Sequence, residues 1–273
     1  MEKYKLLSCL LFLLFCGGLS FFSSCEKVID LELNEADPKI VIEGSITDQP
    51  GPNIIKLTQT VNYDEPNTFP FVSGALVTLK DNVGNTETLK ETLPGIYSTD
   101  TIQGVSGRTY TLNVTVGENT YTAISAIPQP VIIDTLLVME VNNPHGSEKI
   151  IQAQYADSRD IANFYRFILF RNNIEELIFI TDDRLQDGKV ISYPLFNPPT
   201  QQVSLRTGDS IEVHLQAIDK SLYEYFRTLN QLNSGGSHEG SASLPANPLT
   251  NISNGALGYF NACTVRSKTI VVP

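Results

Sequence analysis

The sequence is short of most residues that carry chemistry. It has no Trp, two Met, three His and four Cys in 273 residues. Without Trp there is no indole platform for stacking sugars. His145, His214 and His238 stand far apart, and there is no C-x-x-C or H-E-x-x-H, so no metal-ligand spacing is present. No G-x-S-x-G elbow marks a serine nucleophile, and there is no Gly-rich phosphate loop. Neither catalysis nor a cofactor is expected. A Ser-His-Asp triad assembled in space leaves no such trace, so a hydrolase stands as a third reading behind two binding roles. Positive charge is also scarce: 19 Lys and Arg against 30 Asp and Glu give a net charge of −11. Phosphate neutralisation supplies most non-specific affinity for nucleic acid, so an acidic chain without a basic stripe is not expected to bind DNA or RNA. The same charge gives no attraction to anionic lipid. The longest apolar run, residues 6–15, falls short of the about 20 residues that span a bilayer.

What is present begins with an ordered leader. Lys3 and Lys5 precede the apolar run, and Gly17, Gly18 and Ser20 break it. This is the order of an export signal. Small Ser23 and Ser24 then lead into Cys25. The stretch Phe22-Ser23-Ser24-Cys25 resembles a bacterial lipoprotein box, with Phe22 in place of the usual Leu, Val or Ile. Cys16 is a poorer cleavage site because bulky Phe15 precedes it. Two other readings stay open: an ordinary thiol behind a plain secretory signal, or an uncleaved anchor. Cysteine arithmetic favours lipidation. Residues 1–24 take Cys9 and Cys16 with them and leave Cys25 and Cys263. A disulfide between these two is open to an oxidising compartment, but lipidation would consume the Cys25 sulfur and leave Cys263 as a small buried hydrophobe. One acyl chain binds marginally and two signals anchor stably. The three chains of a lipoprotein would make attachment permanent. Residues 25–35 read as a short acidic tether. Removing residues 1–25 takes away Glu2, Lys3 and Lys5 and makes the remainder more acidic by one charge.

From Lys39 the pattern turns to period two. Short β-branched segments such as "KIVIEGSITD", "NIIKLTQTV", "SGALVTLKD" and "GRTYTLNVTV" are separated by Gly, Asn, Asp and Pro turns every 8–12 residues or so. That is the pattern of a β-sandwich. Pro128 and Pro130 make a stiff joint. Beyond it, "NFYRFILFRNN" is apolar on both faces and reads as a central strand. "QQVSLRTGD" and "SIEVHLQAI" continue the strand pattern. "DKSLYEYFRTLNQLN" places Leu222, Tyr225, Phe226, Leu229 and Leu232 at helical spacing behind an Asp219 cap. The expected fold is mostly β: two tandem Ig-like or transthyretin-like β-sandwiches, residues 36–130 and 131–273. The second carries one helix at about 219–233 and then a long Gly/Ser loop.

Few residues offer chemistry. Asp182, Asp183 and Asp187 fall in one turn and could supply oxygen ligands to Ca²⁺. Their spacing is not that of an EF-hand, and a D-G turn between strands explains them equally well. "DTI", "DTL" and "DSI" resemble a short O-glycosylation pattern of Bacteroidota envelope proteins, with Thr101, Thr135 and Ser210 as the hydroxyls. His214 reads as a structural strand residue.

The order "IVIEGSITDQPGPNIIKLTQT", "VSGALVTLKDNVGN", "GIYSTD", "GRTYTLNVTVGENTYTA" and "NPLTNISNGALGYFNA" resembles a Bacteroidota envelope lipoprotein family, domain of unknown function 4249. Its most specific part is "NISNGALGYF", residues 251–260, read as a tight turn into a core strand or as part of a partner-facing surface. The resemblance implies an outer-membrane lipoprotein anchored through Cys25, often encoded beside a TonB-dependent transporter. It implies no catalytic residue. Glu26 and Lys27 after the lipidated cysteine partly match the signal for surface display in such proteins. The expected function is therefore capture or hand-over of a ligand of unknown class at a transporter. An adhesion or envelope-structural module is the alternative.

Overall fold

The computed structural model describes residues 37–62, 65–66, 68–143, 146–196, 204–233 and 247–273. The leader, Cys25 and the tether lie outside the described residues, as do His145, His238 and the Gly/Ser loop at 234–246.

The period-two segments form strands as read. In the first half these are β1 (Ile40–Thr47), β2 (Ile54–Gln59), β3 (Leu76–Asp81), β4 (Thr86–Thr88), β5 (Lys90–Leu93), β6 (Ile96–Ser98), β7 (Thr109–Val116) and β8 (Asn119–Ala126). Strand β1 alternates strictly between buried and half-buried positions, which sends Ile40, Ile42 and Ile46 to one face. The sheet order β1-β2-β6-β5 packs on a second sheet, β4-β3-β7-β8. Ile42, Leu57 and Tyr97 from one meet Val77, Leu79, Leu112 and Val114 from the other. Each such side chain contributes about 1.5–3 kcal/mol when fully buried.

The second half contains β9 (Ile133–Asn143), β10 (Gly146–Ala156), β11 (Phe164–Arg171), β12 (Ile174–Asp182), β13 (Val190–Leu195), β14 (Ser210–Ile218) and β15 (Leu257–Val271), with helix α1 (Lys220–Asn233) between the last two. Strand β11, apolar on both faces, lies inside the order β12-β11-β14-β15, flanked by β12 and β14. One of its faces packs on the three-stranded sheet β13-β10-β9, where Tyr165, Phe167, Val213 and Leu215 meet Ile151, Ala153, Tyr155 and Ile191. Its other face carries α1, whose Leu222, Tyr223 and Phe226 bury against Ile218 and Cys263. Asp219 caps the helix as expected: its Oδ1 accepts the Leu222 amide at 3.0 Å. Residues 204–209, by contrast, form no strand.

Among the described residues each half has a core between its sheets and a third cluster lies under α1, but the halves do not close separately at residue 130. Strand β15 runs 15 residues and changes partner midway. Leu257–Cys263 pair in parallel with β1, and Thr264–Val271 pair antiparallel with β14. The sheets of the two halves thereby become one of eight strands, β12-β11-β14-β15-β1-β2-β6-β5. Ile252, Ala256, Phe260 and Ala262 complete the first core, not the second. The physical reason is the free edge of β1, which offers unpaired amides and carbonyls that β15 satisfies.

Candidate functional site

The three aspartates read together in the sequence do not stay together. Asp182 ends β12 and turns toward α1, where it accepts the Tyr223 hydroxyl at 2.7 Å and pairs with Arg184 at 2.9 Å. Asp183 turns the other way and is buried. It converges with Asp187 and with Asp157, which follows β10, so that carboxylate oxygens of all three lie within 4.8 Å of one another. The set has the oxygen chemistry that Ca²⁺ takes. Every member is also engaged by protein donors. Asp157 accepts from the Tyr165 hydroxyl at 2.5 Å, Asn163 Nδ2 at 3.2 Å and the Gly188 amide at 3.0 Å. Asp183 accepts the Asn163 amide at 2.8 Å and Asp187 the Asp160 amide at 2.9 Å. These bonds tie the 157–163 loop to the 183–188 turn. Burial, and then the Asp157 carboxylate, hold the Tyr165 hydroxyl well above the usual tyrosine range.

The remaining sequence candidates are scattered. Thr101 is exposed, and its hydroxyl donates to Glu87 Oε2 at 2.9 Å; Glu87 also accepts the amides of Asp100, Thr101 and Ile102. Thr135 is half-buried near the start of β9, and Ser210 is exposed at the start of β14. His214 on β14 shares a 2.9 Å hydrogen bond with Glu212 and packs its ring 4.7 Å from Phe170. Cys263 is fully buried, and burial pushes its thiol up to about 12.

The 251–260 segment is a clamp. Asn251 forms a two-way amide pair with the Phe260 backbone: Phe260 N donates to Oδ1 at 3.0 Å, and Nδ2 donates to Phe260 O at 2.8 Å. Asn254, at φ 56°, donates Nδ2 to Thr120 O at 2.5 Å. Ser253 exchanges two bonds with Thr122, so the segment closes the free edge of β8. Gly258 has φ 91°, and a Cβ there would sit 2.1 Å from Ile42 O. The parallel pairing of β15 with β1 therefore requires glycine at this position.

A residue that the sequence reading passed over stands out in the same face of the eight-stranded sheet. Arg166 lies on β11 with its guanidinium 4.5 Å from the Phe226 ring of α1. Its Nη1 donates to Gln216 Oε1 at 3.0 Å, while its Nε is buried without a hydrogen-bond partner. Tyr225, Phe226 and Tyr259 form a contiguous aromatic wall beside it, with centroids 5.0–5.2 Å apart. Burial holds the guanidinium below the ordinary arginine value. The available signal was an Arg inside a strand that is otherwise apolar from Phe164 to Phe170.

Sheet order, paired cores and a single described helix define a mostly β protein of sandwich architecture. The chain belongs to the family described as Domain of unknown function (DUF4249), whose model matches residues 26–269. No curated protein matches the chain.

Proposed function

We propose that this is a non-catalytic, lipid-anchored outer-membrane protein of a Gram-negative, Bacteroidota-like bacterium, an accessory that captures ligand for a TonB-dependent transporter. The observation that carries this reading is the short leader ending in Phe22-Ser23-Ser24-Cys25. The family match begins at residue 26, the position after Cys25, which supports a mature chain starting at that cysteine. Three acyl chains on Cys25 would hold the β-rich body at the membrane without help from its negative charge. Confinement there raises the effective concentration of the protein at a transporter. Glu26 and Lys27 favour display on the outer surface over the periplasmic side. At the finer level of fold, the two cores read as tandem sandwiches, Ig-like or transthyretin-like, that share β15.

The tandem arrangement also favours a second reading, an adhesion or envelope-structural module. Affinity purification from detergent-solubilised outer membrane separates the two. A TonB-dependent barrel is expected to co-purify. A preparation that retains the protein but yields no such barrel removes the transporter role and leaves the adhesive one.

A further inference from the structure

Arg166 is a largely buried positive charge with no carboxylate within 4.0 Å among the described residues; the Glu175 charge acts on it only from farther away. Taking a cation out of water costs several kcal/mol unless it is paired and hydrogen-bonded. Four other arginines among the described residues obey that rule. Arg108, Arg171, Arg227 and Arg266 are each part-buried, and each holds a carboxylate at 2.5–2.9 Å. Arg166 instead has one neutral hydrogen bond, to Gln216, and one aromatic contact, with Phe226. These two contacts orient the guanidinium without neutralising it. Gln216 takes Nη1 and Phe226 takes one flat face, which leaves Nε unmatched.

We propose that Arg166 anchors a binding site for a small organic carboxylate on the α1 face of the eight-stranded sheet. The Nε edge of a guanidinium presents two parallel N–H groups at the separation of carboxylate oxygens, so one carboxylate supplies both the missing charge and the missing acceptor. The water-poor aromatic surround of Phe226, Tyr225 and Tyr259 strengthens that pairing and suits an apolar body behind the carboxylate. Phosphate fits less well, because its extra charge and oxygens call for further donors. Buried polar atoms are nearly always satisfied, so the bare Nε indicates an acceptor still to be supplied. Arg166 keeps partial exposure, which gives an approach from solvent, while Nε is covered. Binding therefore shifts the cover, of which Phe226 is the part stacked on the guanidinium. The chain's net charge of −11 weakens adventitious anion adsorption elsewhere.

This inference deepens the ligand-capture part of the reading above and is independent of lipid attachment. A failed titration removes the site and leaves the anchor; a failed lipid assay removes the anchor and leaves the site. The test is a titration of full-length, ¹⁵N-labelled protein in detergent micelles with sodium benzoate and sodium succinate, at constant ionic strength. Sodium chloride and sodium phosphate serve as controls. The readout is the Arg166 Nε–H resonance, assigned by its absence in Arg166→Lys. A saturable shift with a carboxylate is expected, with phosphate at least tenfold weaker and chloride without effect. The affinity of Arg166→Lys, verified as folded by circular dichroism, is read in both proteins from the side-chain amide of the neighbouring Gln216 and should fall at least tenfold. The proposal is overturned if neither carboxylate moves the resonance saturably, if chloride or phosphate does so equally, or if Arg166→Lys binds as tightly.

Discussion

Ser125 on β8 donates its hydroxyl to Asp219 Oδ2 at 2.5 Å, joining the first core to the cap of α1. The same carboxylate oxygen accepts the Ala126 amide at 3.2 Å, and Oδ1 holds the Leu222 amide. Ser125 Oγ accepts in turn from the Ala262 amide of β15 at 3.0 Å. One aspartate thus fixes the helix start and ties it to the first half of the chain, beside the strand that serves both cores.

Asp219→Ala should cost about 2–4 kcal/mol, combining about 1 for a lost cap with about 1–3 for buried hydrogen-bonding groups left unmatched. Asp219→Asn, which keeps the capping oxygen, should cost less. Urea unfolding followed by circular dichroism measures both. Equal stability of Asp219→Ala and the native protein would remove the tie from the account.

Gly258→Ala and Gly255→Ala separate steric from conformational demand. Both positions have positive φ, 91° and 72°. At Gly255 an added Cβ meets nothing within 4 Å, so the loss should be about 1 kcal/mol of backbone strain. At Gly258 the Cβ strikes Ile42 O, and β15 must leave β1 or bend. A loss of more than about 3 kcal/mol is expected there, read as the difference in urea midpoints between the two variants.

Acid should destabilise the protein through carboxylates that are held below their ordinary values. Burial pushes Asp81 up, but Asn85, the Val83 amide and Arg108 together outweigh it and leave the group below 3.8. Asp48, with Val265, Gln49 and Arg266, and Glu87, with the 100–102 amides, are lowered in the same way. A carboxylate with a depressed folded value favours folding above its unfolded value, and that contribution is lost as pH falls through the folded one. The urea midpoint should therefore hold from pH 7 to about 5 and fall below about pH 4. Asp81→Asn should lower the midpoint at pH 7 and flatten the acid slope.

Local patterns carry the strands, the central position of β11 and the start of α1, because each depends on periodicity or a cap within a few residues. The convergence at Asp157 is not local. Asp182 and Asp183 are adjacent at the end of β12, and strand alternation sends them to opposite faces. Only the fold brings Asp157, just past the end of β10, to replace Asp182. The partner change in β15 is hidden for the same reason, since parallel pairing with β1 spans more than 200 residues of sequence. Arg166 was visible as a residue, but its missing counter-charge appears only when neighbouring strands and α1 are in place.

The most direct measurement of the central claim is metabolic labelling with a palmitate analogue in the native host, comparing the full-length protein with Cys25→Ala. Lipid attachment at Cys25 predicts strong labelling of the native protein, recovered in the outer-membrane fraction, and none of Cys25→Ala. Labelling that persists in Cys25→Ala, or its absence from the native protein, would contradict the account.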